Sequence, residues 1–160
     1  MIIIPFRKKE LVLCQLPGLS CMGCCTEPKV KDKKIIEDQL KKNSERFRKT
    51  KDPHKFALDS GEDVASGSKI CKTLIKEGDK VFCPSHPLSP YTKGKDMREY
   101  CIKDYWCATM KEFRTWPEER QKKMIEWIKT KNYNWHSYSL ANDTGKSIKE
   151  FIEYEKKNLG

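Results

Sequence analysis

The sequence has no long hydrophobic run. Its start, "MIIIPFRKKELVL" at residues 1–13, is apolar for only a few residues before Arg7-Lys8-Lys9 interrupts it. This order is the reverse of a secretory signal, and the stretch is too short to span a bilayer. We therefore expect no membrane partner, no export and a cytoplasmic location.

Familiar catalytic motifs are also missing. The sequence has no glycine-rich phosphate loop, no HExxH and no Ser/His/Asp arrangement in a motif context. The stretch Gly145-Lys146-Ser147 lacks the earlier glycine of a P-loop and is better interpreted as a helix cap. A site of three thiolates with an open position could activate water. Because neither a substrate nor a general base is identified, the sequence leaves open whether the protein is an enzyme.

Cysteine, by contrast, is abundant. A chain of 160 residues can bury a core without disulfides, and in a reducing cytosol thiols favour metal binding or redox chemistry over static disulfides. Disulfide staples and buried structural cysteines are the alternatives. The eight cysteines are Cys14, Cys21, Cys24, Cys25, Cys71, Cys83, Cys101 and Cys107.

Three of these thiols lie in "SCMGCC". Cys21 and Cys24 have the C-x-x-C spacing that lets two thiolates hold one ion while nearby backbone N–H groups stabilise the sulfur charge. Gly23 relaxes the backbone between them. Adjacent side chains on an extended backbone point in opposite directions, so Cys25 is either a ligand or a small buried apolar residue. The same alternatives apply to Cys14.

The remaining pattern predicts one small, helix-rich α+β domain over residues 1–160, with a metal-binding core at 14–107 and C-terminal helices at 108–160. A strand is predicted within 1–13, a cysteine-bearing loop with a Pro17-Gly18 turn at 14–25, an amphipathic helix at 33–50 and a loop at 52–68. Further helices are predicted at 97–113 with Asp96 as N-cap, at 118–131 after Pro117, and at 148–159.

Two short β-prone runs flank Glu77-Gly78-Asp79 and predict a β-hairpin. Its arms would bring Cys71 and Cys83 close together. Cys101 and Cys107 would lie about 120° apart around an unbroken helix. One ion could not easily bind both unless the helix begins or ends between them, and Cys101 is the better candidate. His86, in a proline-stiffened loop beside Cys83, is either a ligand or an ordinary loop histidine.

These motifs resemble the YkgJ-like family of zinc- or iron-chelating domains, which carry a C-x-x-C-x-x-C-C style signature. "CMGCC" resembles the end of that signature, "CKTLIKEGDKVFCPSHP" its second element, and "MREYC" its final Arg-x-x-Cys element. The resemblance covers roughly residues 14–107 and implies metal binding. The chain departs from the family in the spacing of Cys14, in His86 where arginine is common, and in the long gap before Cys101.

The sequence thus predicts a thiolate metal site, with zinc favoured over iron. An iron–sulfur protein for redox or electron transfer is the first alternative. The second is a basic nucleic-acid-binding module with structural zinc, because the formal charge is +10 and lysines crowd residues 29–55, where an acidic protein could also bind. A solvated helix surface would explain the same lysines. The predicted ligands are Cys21, Cys24, Cys25, Cys71, Cys83 and Cys101, and the further candidates are Cys14, Cys107 and His86.

Overall fold

A computed structural model describes residues 12–25, 32–61, 70–103 and 105–158, except for the side chain of Cys24. The strand predicted within residues 1–13 falls almost entirely outside the described residues. In chain order the elements are β1 (Gln15–Leu16), β2 (Leu19–Ser20), a 3-10 turn (Gly23–Cys25), α1 (Lys33–Thr50), α2 (Pro53–Ser60), β3 (Ile75–Glu77), β4 (Lys80–Phe82), α3 (Ala108–Phe113), α4 (Glu118–Lys129), α5 (Trp135–Asp143) and α6 (Lys146–Asn158).

The fold is a helix-rich α+β arrangement with two short antiparallel strand pairs, as predicted. In the β1–β2 hairpin Leu16 pairs with Leu19, and Gly18 takes a positive φ of 74° that suits the turn after Pro17. The segment predicted as a loop at 14–25 is therefore a small hairpin followed by a 3-10 turn. The predicted β3–β4 hairpin is confirmed around Gly78, whose φ is 57°.

Helix α1 has the predicted bounds. The Asp32 side chain accepts hydrogen bonds from the backbone N–H groups of Lys34 and Ile35, which caps the helix, and Lys51 ends it in the left-handed region. The amphipathic character is confirmed by a stripe of buried side chains on one side of the helix, which includes Ile36, Leu40, Ser44 and Phe47. This stripe packs against β3, while the lysines face solvent.

Helix α2 replaces the beginning of the loop predicted at 52–68. Asp52 accepts hydrogen bonds from the N–H groups of His54 and Lys55, and Pro53 occupies the first helical turn. An aspartate at the N-cap followed by proline is a helix-start signal. The loop prediction is wrong here because proline breaks a helix only in its interior and is favoured in the first turn.

The helix predicted at 97–113 is wrong at its beginning. The Asp96 carboxylate accepts the N–H of Arg98 at 3.1 Å and binds the Arg98 guanidinium at 2.9 and 2.7 Å, but no helix follows for it to cap. The chain from 97 to 103 is irregular, and α3 begins at Ala108 after Cys107 as N-cap. Cys101 and Cys107 therefore both precede the helix, and the 120° separation expected on an unbroken helix does not apply to them.

The C-terminal part contains one helix that was not predicted. Helix α4 follows Pro117 and α6 covers most of 148–159, as expected, but α5 lies between them. Thr144 is the C-cap of α5. The polar sequence of α5 gives little hydrophobic periodicity, which is why it escaped prediction.

The helix cluster is the larger hydrophobic core. It joins α3 to α6 with the chain around β1, and its buried residues are Leu13, Leu16, Cys107, Met110, Phe113, Trp116, Met124, Trp127, Ile128, Tyr138, Ile148 and Phe151. Helices α4 and α6 contribute Met124, Trp127, Ile128, Ile148 and Phe151 to this core, and the half-buried Ile152 packs against it. Tyr100 and Tyr105, which the predicted helix at 97–113 would have carried, are exposed.

The hairpin cluster is a second core, formed between α1, the β3–β4 hairpin and the start of α5. Its buried residues are Met22, Ile36, Leu40, Ile70, Cys71, Leu74, Val81 and Trp135. The two clusters meet at α5, because Trp135 belongs to the hairpin cluster and Tyr138, three residues later, to the helix cluster. Among the described residues, no helix has both the length and the apolar character needed to cross a membrane.

Candidate metal centre

The β3–β4 hairpin brings two of the predicted ligands to one hydroxyl group. The Cys71 Sγ and Thr73 Oγ1 atoms are 3.0 Å apart, and the Cys83 thiol donates to the same Thr73 Oγ1 over 3.5 Å. The prediction that this hairpin brings Cys71 and Cys83 together is confirmed. Thr73 is buried, so its hydroxyl is a fixed partner for both sulfur atoms.

A cavity of about 10 Å³ lies beside this hydroxyl. It is large enough for roughly one water-sized occupant. We call it the thiol cavity, and it is lined by Ala57, Thr73, Cys83, Ser85, Arg98, Glu99, Tyr100 and Cys101. Cys101 is exposed at its outer side, while Cys83 lies deeper. Two predicted ligands therefore face one small cavity.

The surroundings of the cavity keep the Cys83 thiol protonated in the absence of a cation. Burial raises the pKa of Cys83, and the neighbouring thiols of Cys71 and Cys101 raise it further, whereas the Thr73 hydrogen bond acts in the opposite direction. A bound cation would reverse this balance, since it favours the thiolate form.

Arg98 places a fixed positive charge near these sulfur atoms. Its hydrogen bond to Asp96 raises its pKa most, and the nearby groups Cys101 and Cys83 raise it as well. The ion pair also lowers the pKa of Asp96 to about 2. Arg98 therefore stays charged and is positioned to offset the negative charge that several thiolates around one ion would create.

His86 lies in the turn that follows Cys83. Burial, followed by the charge of Arg98, lowers its pKa to about 4, so the ring is neutral at physiological pH. Its Nδ1 accepts a hydrogen bond from the N–H of Leu88 at 3.1 Å. His86 is not among the residues that line the thiol cavity. Ligation by His86 stays a prediction.

Cys25 is tied to Cys71 through the backbone. The N–H of Cys71 donates to the carbonyl of Cys25 at 2.9 Å, and the half-buried Cys25 side chain packs against the hairpin cluster, to which Cys71 belongs. Cys25 therefore lies at the edge of the core, next to a predicted ligand, and ligation by Cys25 stays a prediction.

Cys14 and Cys21 form a second group of thiols, which we call the cross-strand pair. The register of β1 and β2 pairs Gln15 with Ser20, so Cys14 and Cys21 are directly opposite, and the N–H of Cys21 donates to the carbonyl of Cys14 at 2.9 Å. Both side chains pack against the helix cluster.

The predicted support of sulfur by backbone N–H groups is present at Cys21. The N–H of Gly23 donates to Cys21 Sγ over 3.4 Å. The role of Gly23 differs from the expected one, because its φ is not positive. A Cβ at this position would lie 2.9 Å from both Asp143 Cβ and the Ser139 carbonyl oxygen, so glycine is needed for the close approach to α5.

Cys107 is buried in the helix cluster together with the cross-strand pair. All three cysteines lie near the Tyr138 hydroxyl. Burial raises the pKa of this hydroxyl, and Cys21, Cys14 and Cys107 each raise it further. The hydroxyl donates to the carbonyl of Leu13 at 2.9 Å.

The predicted ligands thus separate into two groups. Cys71, Cys83 and Cys101 lie around Thr73 and the thiol cavity, with Cys25 joined to them through the backbone, whereas Cys21 packs with Cys14 and Cys107. The Cys24 side chain lies outside the described residues. Within the described ranges, no three or more His, Cys, Asp or Glu side chains are already arranged to hold a metal ion.

Thr73, Tyr138 and Arg98 belong to the two thiol groups in the structure but are not predicted from the sequence as site residues. Thr73 lies in a turn that the hydrogen bond from the Leu74 N–H to the Cys71 carbonyl closes at 3.1 Å, so strand spacing gives no signal for it in the sequence. The turn Pro17-Gly18, centred between Cys14 and Cys21, could have predicted the cross-strand pair. Tyr138 has no local signal, because its contact with Leu13 depends on tertiary packing.

Comparison with known proteins found no matching family model, no matching curated protein and no matching solved structure. The resemblance to the YkgJ-like family therefore stays a prediction that rests on the motifs quoted above.

Proposed function

We propose that this protein binds a metal ion through the thiolates of Cys71, Cys83 and Cys101, with zinc as the preferred ion. The observation that carries the proposal is the convergence of the Cys71 and Cys83 thiols on the Thr73 hydroxyl, beside a cavity that Cys101 also lines. Cys25 is the candidate for a fourth ligand, because its backbone is hydrogen-bonded to Cys71.

Metal binding would exchange sulfur–hydroxyl contacts for sulfur–metal bonds. Zinc–thiolate bonds are about 2.3 Å long, so the sulfur atoms have to turn from Thr73 toward the ion. A cysteine side chain has a single χ torsion, so rotation about that torsion is the first movement that metal binding would require of each ligand. The thiols lose their protons on binding, so affinity should increase with pH. Arg98 would then balance part of the thiolate charge.

Zinc is preferred because a small site of thiolates held by a hairpin and an irregular loop suits a closed, structural ion. An iron–sulfur cluster stays the alternative, since thiolates also hold clusters and the YkgJ-like resemblance implies either zinc or iron. We further propose a reducing, cytoplasmic location, in which these thiols stay available to a metal.

The test is metal analysis of protein purified without oxygen from cells supplied with zinc, iron and cysteine. We expect bound zinc, no acid-labile sulfide, and loss of one ion per chain in the Cys83→Ala/Cys101→Ala variant. The matched control is Ile102→Ala/Lys103→Ala, which changes two exposed residues of the same loop without removing a thiol and should keep the metal.

Iron together with an equal amount of acid-labile sulfide would contradict the zinc assignment and support the iron–sulfur cluster instead. Protein that contains neither metal, or a Cys83→Ala/Cys101→Ala variant with the metal content of the wild type, would contradict the proposed site.

A further inference from the structure

The cross-strand pair of Cys14 and Cys21 has the geometry of a two-thiol clamp. Residues directly opposite in an antiparallel pair have Cβ atoms about 4.5–5.5 Å apart and project to the same face. Here that face is the helix cluster, against which both half-buried side chains pack. The N–H of Gly23 already donates to Cys21 Sγ, as in sites where backbone amides stabilise a thiolate.

A third thiol is brought to this clamp by tertiary contacts. Cys107 stands immediately before α3, and one turn further Met110 Sδ accepts a hydrogen bond from the N–H of Leu13 at 3.4 Å. On the other side, the Tyr138 hydroxyl holds the Leu13 carbonyl. The residue next to Cys14 is thus held by α3 and by α5, which keeps Cys107 near the pair.

The same contacts separate this group from the thiol cavity. Cys14, Cys21 and Cys107 all belong to or pack against the helix cluster, whereas Cys71 belongs to the hairpin cluster and Cys101 is exposed. One buried thiol and two half-buried thiols at the edge of a core are suitable ligands for a structural ion, which stabilises the fold by binding.

We propose that Cys14, Cys21 and Cys107 form a second site, which binds one zinc-class ion through thiolates and is separate from the site at the thiol cavity. Binding has to draw the three sulfur atoms together, and each of them can turn about a single χ torsion. This inference rests on the proposed function for its chemistry, although it concerns a different set of residues.

The test counts ions and assigns them to cysteines. Reduced apo-protein is titrated with zinc alone in competition with a chromophoric chelator, and metal content is measured for the wild type and for two matched double variants, Cys14→Ala/Cys107→Ala and Cys83→Ala/Cys101→Ala. We expect two ions per wild-type chain and one in each variant.

A second measurement needs no variant and covers the case in which replacement of buried Cys107 prevents folding. The zinc-loaded wild type is treated with an alkylating reagent before and after addition of a chelator, and the modified cysteines are identified by mass spectrometry. Protection of Cys14, Cys21 and Cys107 that the chelator abolishes, while the helical circular dichroism signal persists, supports the second site.

The failures are distinguishable. One ion per wild-type chain that disappears only in Cys83→Ala/Cys101→Ala overturns the second site and leaves the proposed function in place. One ion that disappears in both variants indicates a single composite centre and overturns the separation. A disulfide between Cys14 and Cys21 in anaerobically purified protein overturns the second site as well, and absence of any bound metal overturns both proposals.

Discussion

Gly23 lies where the 3-10 turn contacts α5, and the turn can come this close only because glycine has no side chain. A Cβ there would lie 2.9 Å from both Asp143 Cβ and the Ser139 carbonyl oxygen, and both distances are shorter than an ordinary van der Waals contact. Met22, the preceding residue, donates its N–H to Ser139 Oγ at 2.9 Å, so the turn cannot move away without breaking a buried hydrogen bond. Both thiol groups depend on this contact, because Cys21 and Cys25 flank it.

We therefore expect Gly23→Ala to lower the free energy of unfolding by about 1–3 kcal/mol through overpacking. Urea denaturation followed by circular dichroism measures the change. The Asp143→Gly variant removes one of the two close atoms, so a double-mutant cycle should show favourable coupling between Gly23→Ala and Asp143→Gly. Strictly additive effects would contradict the proposed contact.

His86 makes stability depend on pH. Its pKa falls from 6.5 to about 4 in the folded protein, so the unfolded chain takes up a proton between these values while the folded chain does not. The stabilising contribution is complete above pH 6.5 and is lost as the pH falls through about 4. Arg98 acts in the same direction as burial, and Asp96, which opposes it, keeps its charge because its own pKa is about 2.

The measurement is urea denaturation at pH 7.5 and pH 5.0. We expect wild-type protein to lose about 1–2 kcal/mol more than His86→Asn over this interval, after allowance for the partly exposed ring. Equal losses in the two proteins, or an NMR titration of the His86 ring at its ordinary pKa, would contradict the burial argument.

At the scale of elements, α5 is held by its N-terminal cap. The Asn134 side chain accepts hydrogen bonds from the N–H groups of His136 at 3.0 Å and Ser137 at 2.9 Å, and Ser137 Oγ accepts the N–H of Asn134 at 3.0 Å. This capping box begins a helix that otherwise has a weak apolar stripe. The helix in turn supplies Trp135 to the hairpin cluster and Tyr138 to the helix cluster.

We expect Asn134→Ala to destabilise the protein by about 1 kcal/mol, since two backbone donors lose their partner. Thermal unfolding measures the loss. Asn158→Ala is the matched control, because Asn158 is an exposed asparagine at the end of α6, and it should cost less than about 0.5 kcal/mol. Equal losses for the two variants would show that the cap does not hold α5.

Elements with a clear local signal were predictable, and those that depend on tertiary contacts were not. The hydrophobic stripe of residues 33–50 predicts α1, and the turn at Gly78 predicts the β3–β4 hairpin. The approach of Cys71 to Cys83 follows from the hairpin. For α2, the sequence contains a helix-start signal, an N-cap aspartate at Asp52 followed by proline, but the prediction assigned this stretch to a loop. The separation of Cys21 from Cys71 had no local signal, because packing against two different clusters determines it.

At the scale of the whole molecule, α5 links the two thiol groups. Ser139 Oγ accepts the N–H of Met22, which lies between the cross-strand pair and Cys25, and Ser20 Oγ accepts the N–H of Val81 at 2.7 Å. These contacts join the β1–β2 and β3–β4 hairpins through buried polar groups. A change at one thiol group can therefore alter the stability of the other without any shared ligand.

The net charge of +10 raises the question whether the basic surface of α1 attracts nucleic acid. Lys41, Lys42, Arg48 and Lys49 are all exposed there. Lysine and arginine that contact phosphates release counterions, so log K falls linearly with log salt, by about 0.7 per contact for single strands. We expect the protein to bind a single-stranded RNA oligonucleotide weakly at low salt, and replacement of these four residues by glutamine should lower both the affinity and the salt slope.

The matched control makes the same charge change on another helix, with Lys122, Lys123, Lys129 and Lys131, which are all exposed on or just after α4, replaced by glutamine. Fluorescence anisotropy across a salt series measures both variants. If the α1 variant alone loses binding, α1 is a phosphate-binding surface, because the net charge of the two variants is identical. Equal losses would assign the attraction to net charge, and no binding by the wild type at low salt would identify the lysines of α1 as a solvated helix surface.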